Sequence, residues 1–172
     1  KQKPNIRGQK IKSVSIQKNI TNKVEKKLDK QEEEVLRLLI NYGNKTFINE
    51  ENETESVASM IMHELHQDEI KFSSQKKQKL YNLITSEMEE NNVINLQKLT
   101  NNADIEISSQ TINIIAQAYD ISDNWKQQHN IITGREEENL YKATKKAILS
   151  LKKEIVNVKI SDLQKKLHVQ KL

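Results

Sequence analysis

Two histidines flanking a glutamate form the pattern in this sequence that comes closest to an enzyme site. Zinc peptidases place a His pair four residues apart, so that both imidazoles reach one metal from one helical face, with Glu as general base. Here His63 and His66 are three apart around Glu64, without a third ligand or any cysteine nearby. We therefore predict that both histidines lie on the surface of an amphipathic helix and that no metal or other cofactor binds.

Two acidic runs, Glu32 to Glu34 and Glu136 to Glu138, are the other candidates for acid or metal chemistry. Each stands where a helix is predicted to begin, and a helix N-terminus favours carboxylates, so capping explains both runs. No Ser or Thr is accompanied by a recognisable base and orienting partner, and there is no Gly-rich phosphate loop. The sequence predicts a chain without catalytic residues.

Trp125 is the single tryptophan of the chain. It could stack on a base or anchor a partner, but in a core this poor in aromatic residues a lone Trp more often fixes a helix junction. Thr133 and Glu136 follow with the spacing of a capping box. We interpret all three as structural anchors at the start of a long helix.

Composition limits the fold class. Three Gly and one Pro in 172 residues supply too few turns for an all-β fold. No apolar run reaches the ~20 residues of a membrane span, and the Lys-rich start lacks the apolar segment of a signal peptide. The absence of cysteine fits a reducing compartment. We predict an all-α cytoplasmic protein and, because the chain does not begin with Met, part of a longer one.

Charge divides the chain into three parts, with +8 over residues 1–30, −11 over 31–139 and +7 over 140–172. An acidic body thus lies between two basic ends, which can meet nucleic acid or an acidic protein surface. Alternatively, solvated lysines only keep a helix and a tail in solution.

Residue spacing predicts three segments. Residues 1–29 form a basic linker, because their apolar residues are too scattered for a stable face. The linker turns helical near Val24. Residues 30–133 form a bundle of about five to six helices. Residues 134–172 form a long C-terminal helix or a partial helical hairpin.

Within the bundle, the first helix is predicted at 31–42, ending at Gly43. A loop follows, with Phe47 and Ile48 against the bundle, and a second helix runs from about Asn52 to Asp68 with Asn52 and Glu55 as a capping pair. A third helix is predicted after the capping residues Ser73 and Ser74, and a later helix is predicted after Asp104.

The C-terminal helix carries two apolar stripes. The first comprises Leu140, Thr144, Ala147, Leu151, Ile155 and Val158, and the second Val156, Ile160, Leu163 and Leu167. Moving from Ile155 to Val156 turns the apolar face by about 100°. We predict that residues up to about Ile155 dock on the bundle and that the rest project from it. Ser161 and Gln164 resemble another capping box, which predicts a break there.

Five strings occur in the order expected of one known family: QEEEVLRLLINYG at 31–43, VASMIMHELHQDEIKFSSQKKQKLYNLI at 57–84, LTNNADIEISSQTINIIAQAYDIS at 99–122, NWKQQHNI at 124–131 and EEENLYKATKKAILSLKKEIV at 136–156. Together they resemble the C-terminal, helicase-interacting domain of bacterial DnaG-type DNA primase, in the sequence style of the Bacteroidetes group. The resemblance implies a helical bundle followed by a helical hairpin. It also implies that this module holds primase on the N-terminal domain of the replicative helicase, DnaB, and so couples RNA primer synthesis to the replication fork.

In that family, primer synthesis and template recognition belong to separate polymerase and zinc-binding domains, and the resemblance predicts neither within these 172 residues. The linker at 1–29 falls where the polymerase domain would end. The family's hairpin has a returning helix, and none of comparable length is evident before Leu172. We therefore expect the returning arm to lie beyond Leu172; the alternative is that the break near Ser161 makes a short hairpin.

The second stripe and its flanking lysines are the predicted helicase-binding residues: Lys153, Val156, Lys159, Ile160, Leu163, Lys166 and Leu167. An amphipathic docking helix needs such a face, and lysines raise the association rate toward an acidic surface. Contact with DNA would then be indirect. Three alternatives stay open: a nucleic-acid-binding module using both basic ends, an unrelated helical adaptor, and a homodimer that pairs the unpartnered helix with a second copy.

Overall fold

The computed structural model describes residues 7–116 and 139–170, and the side-chain surroundings of 24–116 and 139–167. Within these ranges the chain is helical apart from one small hairpin, which confirms the predicted all-α class. The elements in chain order are α1 (Arg7–Tyr42), β1 (Thr46–Ile48), β2 (Thr54–Ser56), α2 (Val57–Gln67), α3 (Gln75–Asn91), α4 (Leu96–Thr100), α5 (105–116) and α6 (Leu140–Gln170). No helix in these ranges is both long and apolar enough to cross a bilayer.

Helix α1 is the central element of the bundle. Its buried side chains include five of the six from position 35 to position 40: Val35, Leu36, Leu38, Leu39 and Ile40. A helix that is apolar nearly all round must be enclosed by other elements, and α2, α3 and α6 all pack against this one. This segment of α1 therefore buries side chains in nearly every direction and not along one apolar face.

Helix α1 also begins much earlier than predicted. It runs without interruption from Arg7, so a non-helical linker is wrong for residues 7–23, whereas the helix predicted from near Val24 is confirmed. Beyond Gly8 no Gly or Pro occurs within the helix, and nothing in the backbone stops it. The run Glu32 to Glu34 consequently lies inside a helix, and the capping explanation of this run is wrong.

The segment after α1 forms a hairpin where a loop and a helix start were predicted. Strands β1 and β2 pair antiparallel, with Phe47 opposite Glu55. Asn52 lies in the connecting turn at φ 62°, a left-handed conformation that Asn tolerates. The N-cap of α2 is Ser56, whose hydroxyl accepts a hydrogen bond from the Ser59 N–H at 3.0 Å, so the predicted capping pair is wrong.

Two of the predicted capping positions are confirmed. Ser74 occupies the N-cap position of α3, although its side chain makes no capping hydrogen bond, and Asn92 follows the helix in the left-handed conformation. The Asp104 carboxylate accepts from the Glu106 N–H at 2.9 Å at the start of α5. The predicted structural anchors Trp125, Thr133 and Glu136 lie outside the described residues.

A close junction joins the end of α1 to the segment before α4. The Asn44 side chain donates to the Ile94 carbonyl at 2.9 Å and accepts from the Ile94 N–H at 2.8 Å. Gly43 lies beside it, donating to the Leu39 carbonyl and accepting from the Ala58 N–H. A Cβ at Gly43 would collide with the Leu39 carbonyl oxygen and with Ile94 Cδ1.

We therefore expect Gly43→Ala to destabilise the fold by about 1–3 kcal/mol, because the collision involves backbone that cannot move aside. Urea unfolding followed by circular dichroism measures the change. The control is Ser109→Ala, at an exposed helical position, which should stay within about 0.5 kcal/mol of the parent. Equal stability of the two variants would contradict the packing described for Gly43.

A buried ionic cluster joins α1 to the start of α3. The Glu32 carboxylate, 1% exposed, accepts from the Ser73 N–H and hydroxyl at 2.5 and 2.9 Å. The Lys77 ammonium, also buried, lies 3.3 Å from Glu32 and 2.5 Å from Asp29. Glu32 thus places a negative charge next to the N-terminus of α3, where the helix dipole favours it.

Lys77→Met should cost about 3–5 kcal/mol of stability, because Glu32 would remain buried without its counter-charge. Lys76→Met is the matched control, since its ion pair with Glu106 is exposed and should contribute less than about 1 kcal/mol. The double variant Glu32→Leu with Lys77→Met should recover much of the loss. If it remains as unstable as Lys77→Met alone, the uncompensated charge is not the cause.

Candidate docking face on helix α6

The first half of α6 is attached to the bundle by a buried stripe. Its buried members are Leu140, Thr144, Ala147, Ile148, Leu151 and Glu154. Successive members are three or four residues apart, except for the adjacent pair at 147 and 148. This stripe packs mainly on α1 and to a lesser extent on α2. Docking of α6 up to about Ile155 is therefore confirmed.

Two lysines fasten this half of α6 to the neighbouring elements. Lys152 lies between Glu64 and Asp68 at the end of α2, with nitrogen–oxygen distances of 2.5 and 2.8 Å. Burial alone would lower the pKa of Lys152, but hydrogen bonds to Asp68 and Glu64 outweigh it and raise the pKa overall. Lys152 is therefore held in its charged form.

Near the start of α6, Lys145 reaches the β1–β2 connection. Its ammonium lies 2.8 Å from the Glu50 carboxylate and 3.0 Å from the Tyr141 hydroxyl. The pKa of Lys145 is raised, mainly by its hydrogen bond to Glu50 and next by the one to Tyr141. The hydrogen bond from Lys145 lowers the pKa of Glu50. The Tyr141 ring packs on Phe47 with ring centres 5.5 Å apart, as predicted for Phe47, whereas Ile48 is exposed.

The second half of α6 presents its apolar side chains to solvent. The exposed fractions are 53% for Val156, 47% for Ile160, 59% for Leu163 and 59% for Leu167. Lys153, Lys159 and Lys166 are exposed as well. The structure thus brings all seven predicted docking residues together on one exposed helical segment.

This segment continues α6 without a break. The helix runs from Leu140 to Gln170, so the interruption predicted near Ser161 is wrong, and with it the short hairpin that depended on it. Ser161 is accommodated as an ordinary helical residue, because no Gly or Pro accompanies it. One exposed residue was missed by sequence reasoning: Leu149, 57% exposed, lies seven residues before Val156 and shares its face. Counting the heptad backwards from Val156 would have found it.

The two histidines line a groove of about 1200 Å³ between α2 and α3. His63 and His66 are exposed, as predicted, and Glu64 is engaged by Lys152. In the described ranges, no three His, Cys, Asp or Glu side chains are arranged to hold a metal ion. Burial raises the pKa of Tyr81 in the same groove, which leaves it a neutral wall residue.

The class of protein is therefore a helical bundle whose last described helix extends beyond the core with an exposed apolar face. Residues 20–171 match the family described as domain of unknown function DUF8430, and the chain belongs to that family. No curated protein and no solved structure matches the chain.

The exposed stripe should be dispensable for folding. Leu163→Ala should change the free energy of unfolding by no more than about 0.5 kcal/mol. The same substitution at Leu151, which is 1% exposed, should cost about 2–5 kcal/mol through the lost contacts and the cavity. Thermal unfolding of both variants provides the comparison. A comparable loss for Leu163→Ala would mean that this face is covered within the fold.

Proposed function

We propose that this chain is the C-terminal helicase-docking domain of a bacterial DnaG-type DNA primase and that it binds the N-terminal domain of the replicative helicase DnaB. The observation that carries the proposal is the exposed apolar face of α6 beyond the bundle. The five family-like strings supply the identity of the partner. The domain itself is non-catalytic and couples primer synthesis to the helicase in the cytoplasm, with DNA held only indirectly.

The exposed face has enough apolar surface for a docking site. Four large side chains are each about half exposed, at Val156, Ile160, Leu163 and Leu167. Complete burial of one such side chain contributes about 1.5–3 kcal/mol, so the half that remains exposed contributes roughly half of that on binding. Since these four side chains lie outside the buried core of the described residues, this gain supports binding of a partner.

Charge around the face favours an acidic partner. Lys159 and Lys166 flank the stripe and make no ion pair with any described residue, while Lys165 pairs with Asp162. Unpaired exposed lysines accelerate association with a surface of opposite sign. The aliphatic stems of these lysines can also cover the edge of an apolar contact.

The test is binding of the chain to the N-terminal domain of the helicase from the same organism, measured by isothermal titration calorimetry. Ile160→Asp with Leu163→Asp should abolish binding, because two charges would be buried in an apolar contact. Circular dichroism should show unchanged helicity, since neither side chain contributes to the core.

The matched control introduces the same two charges elsewhere. Ile105 and Ile112 are exposed on α5, and Ile105→Asp with Ile112→Asp should bind the helicase domain as the parent does. Absence of binding by the parent would exclude the proposed function. Light scattering without the helicase domain tests the homodimer alternative. A parent that is dimeric, with an Ile160→Asp, Leu163→Asp variant that is monomeric, would indicate that the stripe pairs with a second copy.

A further inference from the structure

The outer face of α6 carries one continuous series of exposed side chains along most of the helix. Successive members are separated alternately by four and three residues, and they are Lys142, Lys146, Leu149, Lys153, Val156, Ile160, Leu163 and Leu167. This is the spacing of the contact positions in a coiled coil. Leu149 is two residues beyond the buried Ala147, about 200° around the helix, so the series faces directly away from the bundle.

The series is basic in its first half and apolar in its second. Lys142, Lys146 and Lys153 are exposed and form no ion pair with the described part of the chain. By contrast, Lys145 and Lys152, which border the buried stripe, are both engaged by carboxylates. The positive charge of the outer face is therefore not neutralised by the bundle.

A shallow groove lies along the first half of this series, so these side chains are accessible to a partner. It is lined by Lys142, Lys146, Leu149 and Lys153 together with Tyr141 and Glu50. An exposed leucine among these lysines contributes nothing to the recognition of a phosphate backbone. It suits the apolar side chain of a helix packed at the same register.

We propose that the outer face of α6 pairs with a single partner helix along Lys142 to Leu167, the partner having acidic residues opposite the three lysines and apolar residues opposite the stripe. The span is 26 residues, with about 38 Å of helix between the first and the last, which sets the length of the partner. This inference rests on the proposed function for the identity of the partner, and extends the contact upstream over a region already docked on the bundle.

The test compares charge reversals in the full chain. Lys142→Glu, Lys146→Glu and Lys153→Glu together should slow association with the helicase N-terminal domain by about tenfold or more and flatten its dependence on salt. The matched control reverses three exposed lysines that also lack ion pairs within the described ranges: Lys30, Lys45 and Lys71. This control should leave the rate and the salt dependence close to those of the parent.

A designed peptide separates the two proposals. It is a 28-residue helix with Glu opposite the three lysines and Leu opposite the five apolar residues of the series, and it should bind the parent but not the triple Glu variant. Peptide binding without helicase binding would exclude the proposed function and keep the inference. Helicase binding that is lost in the Ile160/Leu163 variant but unaffected by the triple reversal would overturn the inference alone.

Two further results would also count against the pairing. Failure of the parent to bind either the peptide or the helicase domain would exclude both proposals. Binding of a short DNA duplex that depends on the three lysines and displaces the peptide would identify the outer face as a nucleic-acid contact.

Discussion

The enclosure of α1 between residues 35 and 40 is the constraint on which the bundle depends. Because apolar side chains point in nearly every direction from this segment, several elements must surround it, and α2, α3 and α6 do so. Each neighbour is then oriented by a specific polar contact. Glu32 and Lys77 connect α1 to α3, Lys152 connects α6 to α2, and Asn44 fixes the segment before α4.

Much of this arrangement follows from local sequence signals. Several features each depend on a few neighbouring residues with strong preferences. They are the end of α1 before Gly43, the capping positions before α3 and α5, and the buried stripe of α6. The β-hairpin was missed because its strands are only three residues long and are paired through Asn52 in a left-handed turn. So short an alternation is too weak to distinguish from a loop.

The beginning of α1 illustrates a different difficulty. Residues 7–29 have no regular apolar face, which predicts a linker, yet they also have no residue after Gly8 that stops a helix growing backwards from the buried segment. Helix propagation is far easier than nucleation, so an anchored core segment can extend into sequence of modest preference. Periodicity detects the anchored part but not how far the helix extends.

The exposed apolar face of α6 was identifiable because it follows from an apolar stripe on the side opposite to the buried one. What the sequence does not distinguish is which lysines are free. Lys145 and Lys142 look equivalent in the chain, but only Lys145 meets Glu50, and Lys152 meets Glu64 and Asp68 about 85 residues earlier. Ion pairs between segments so far apart become visible only once the fold brings α2 and the hairpin to α6.

The uninterrupted course of α6 gives the molecule a mechanical property. The buried stripe and the exposed stripe belong to one rod, and from Ile155 to Leu167 the free part extends about 18 Å beyond its last buried turns. A sideways pull at Leu167 therefore acts on the bundle as a torque. The contact between α1 and α6 and the Lys152 ion pairs would resist that torque, because they hold the buried half of α6 on the bundle.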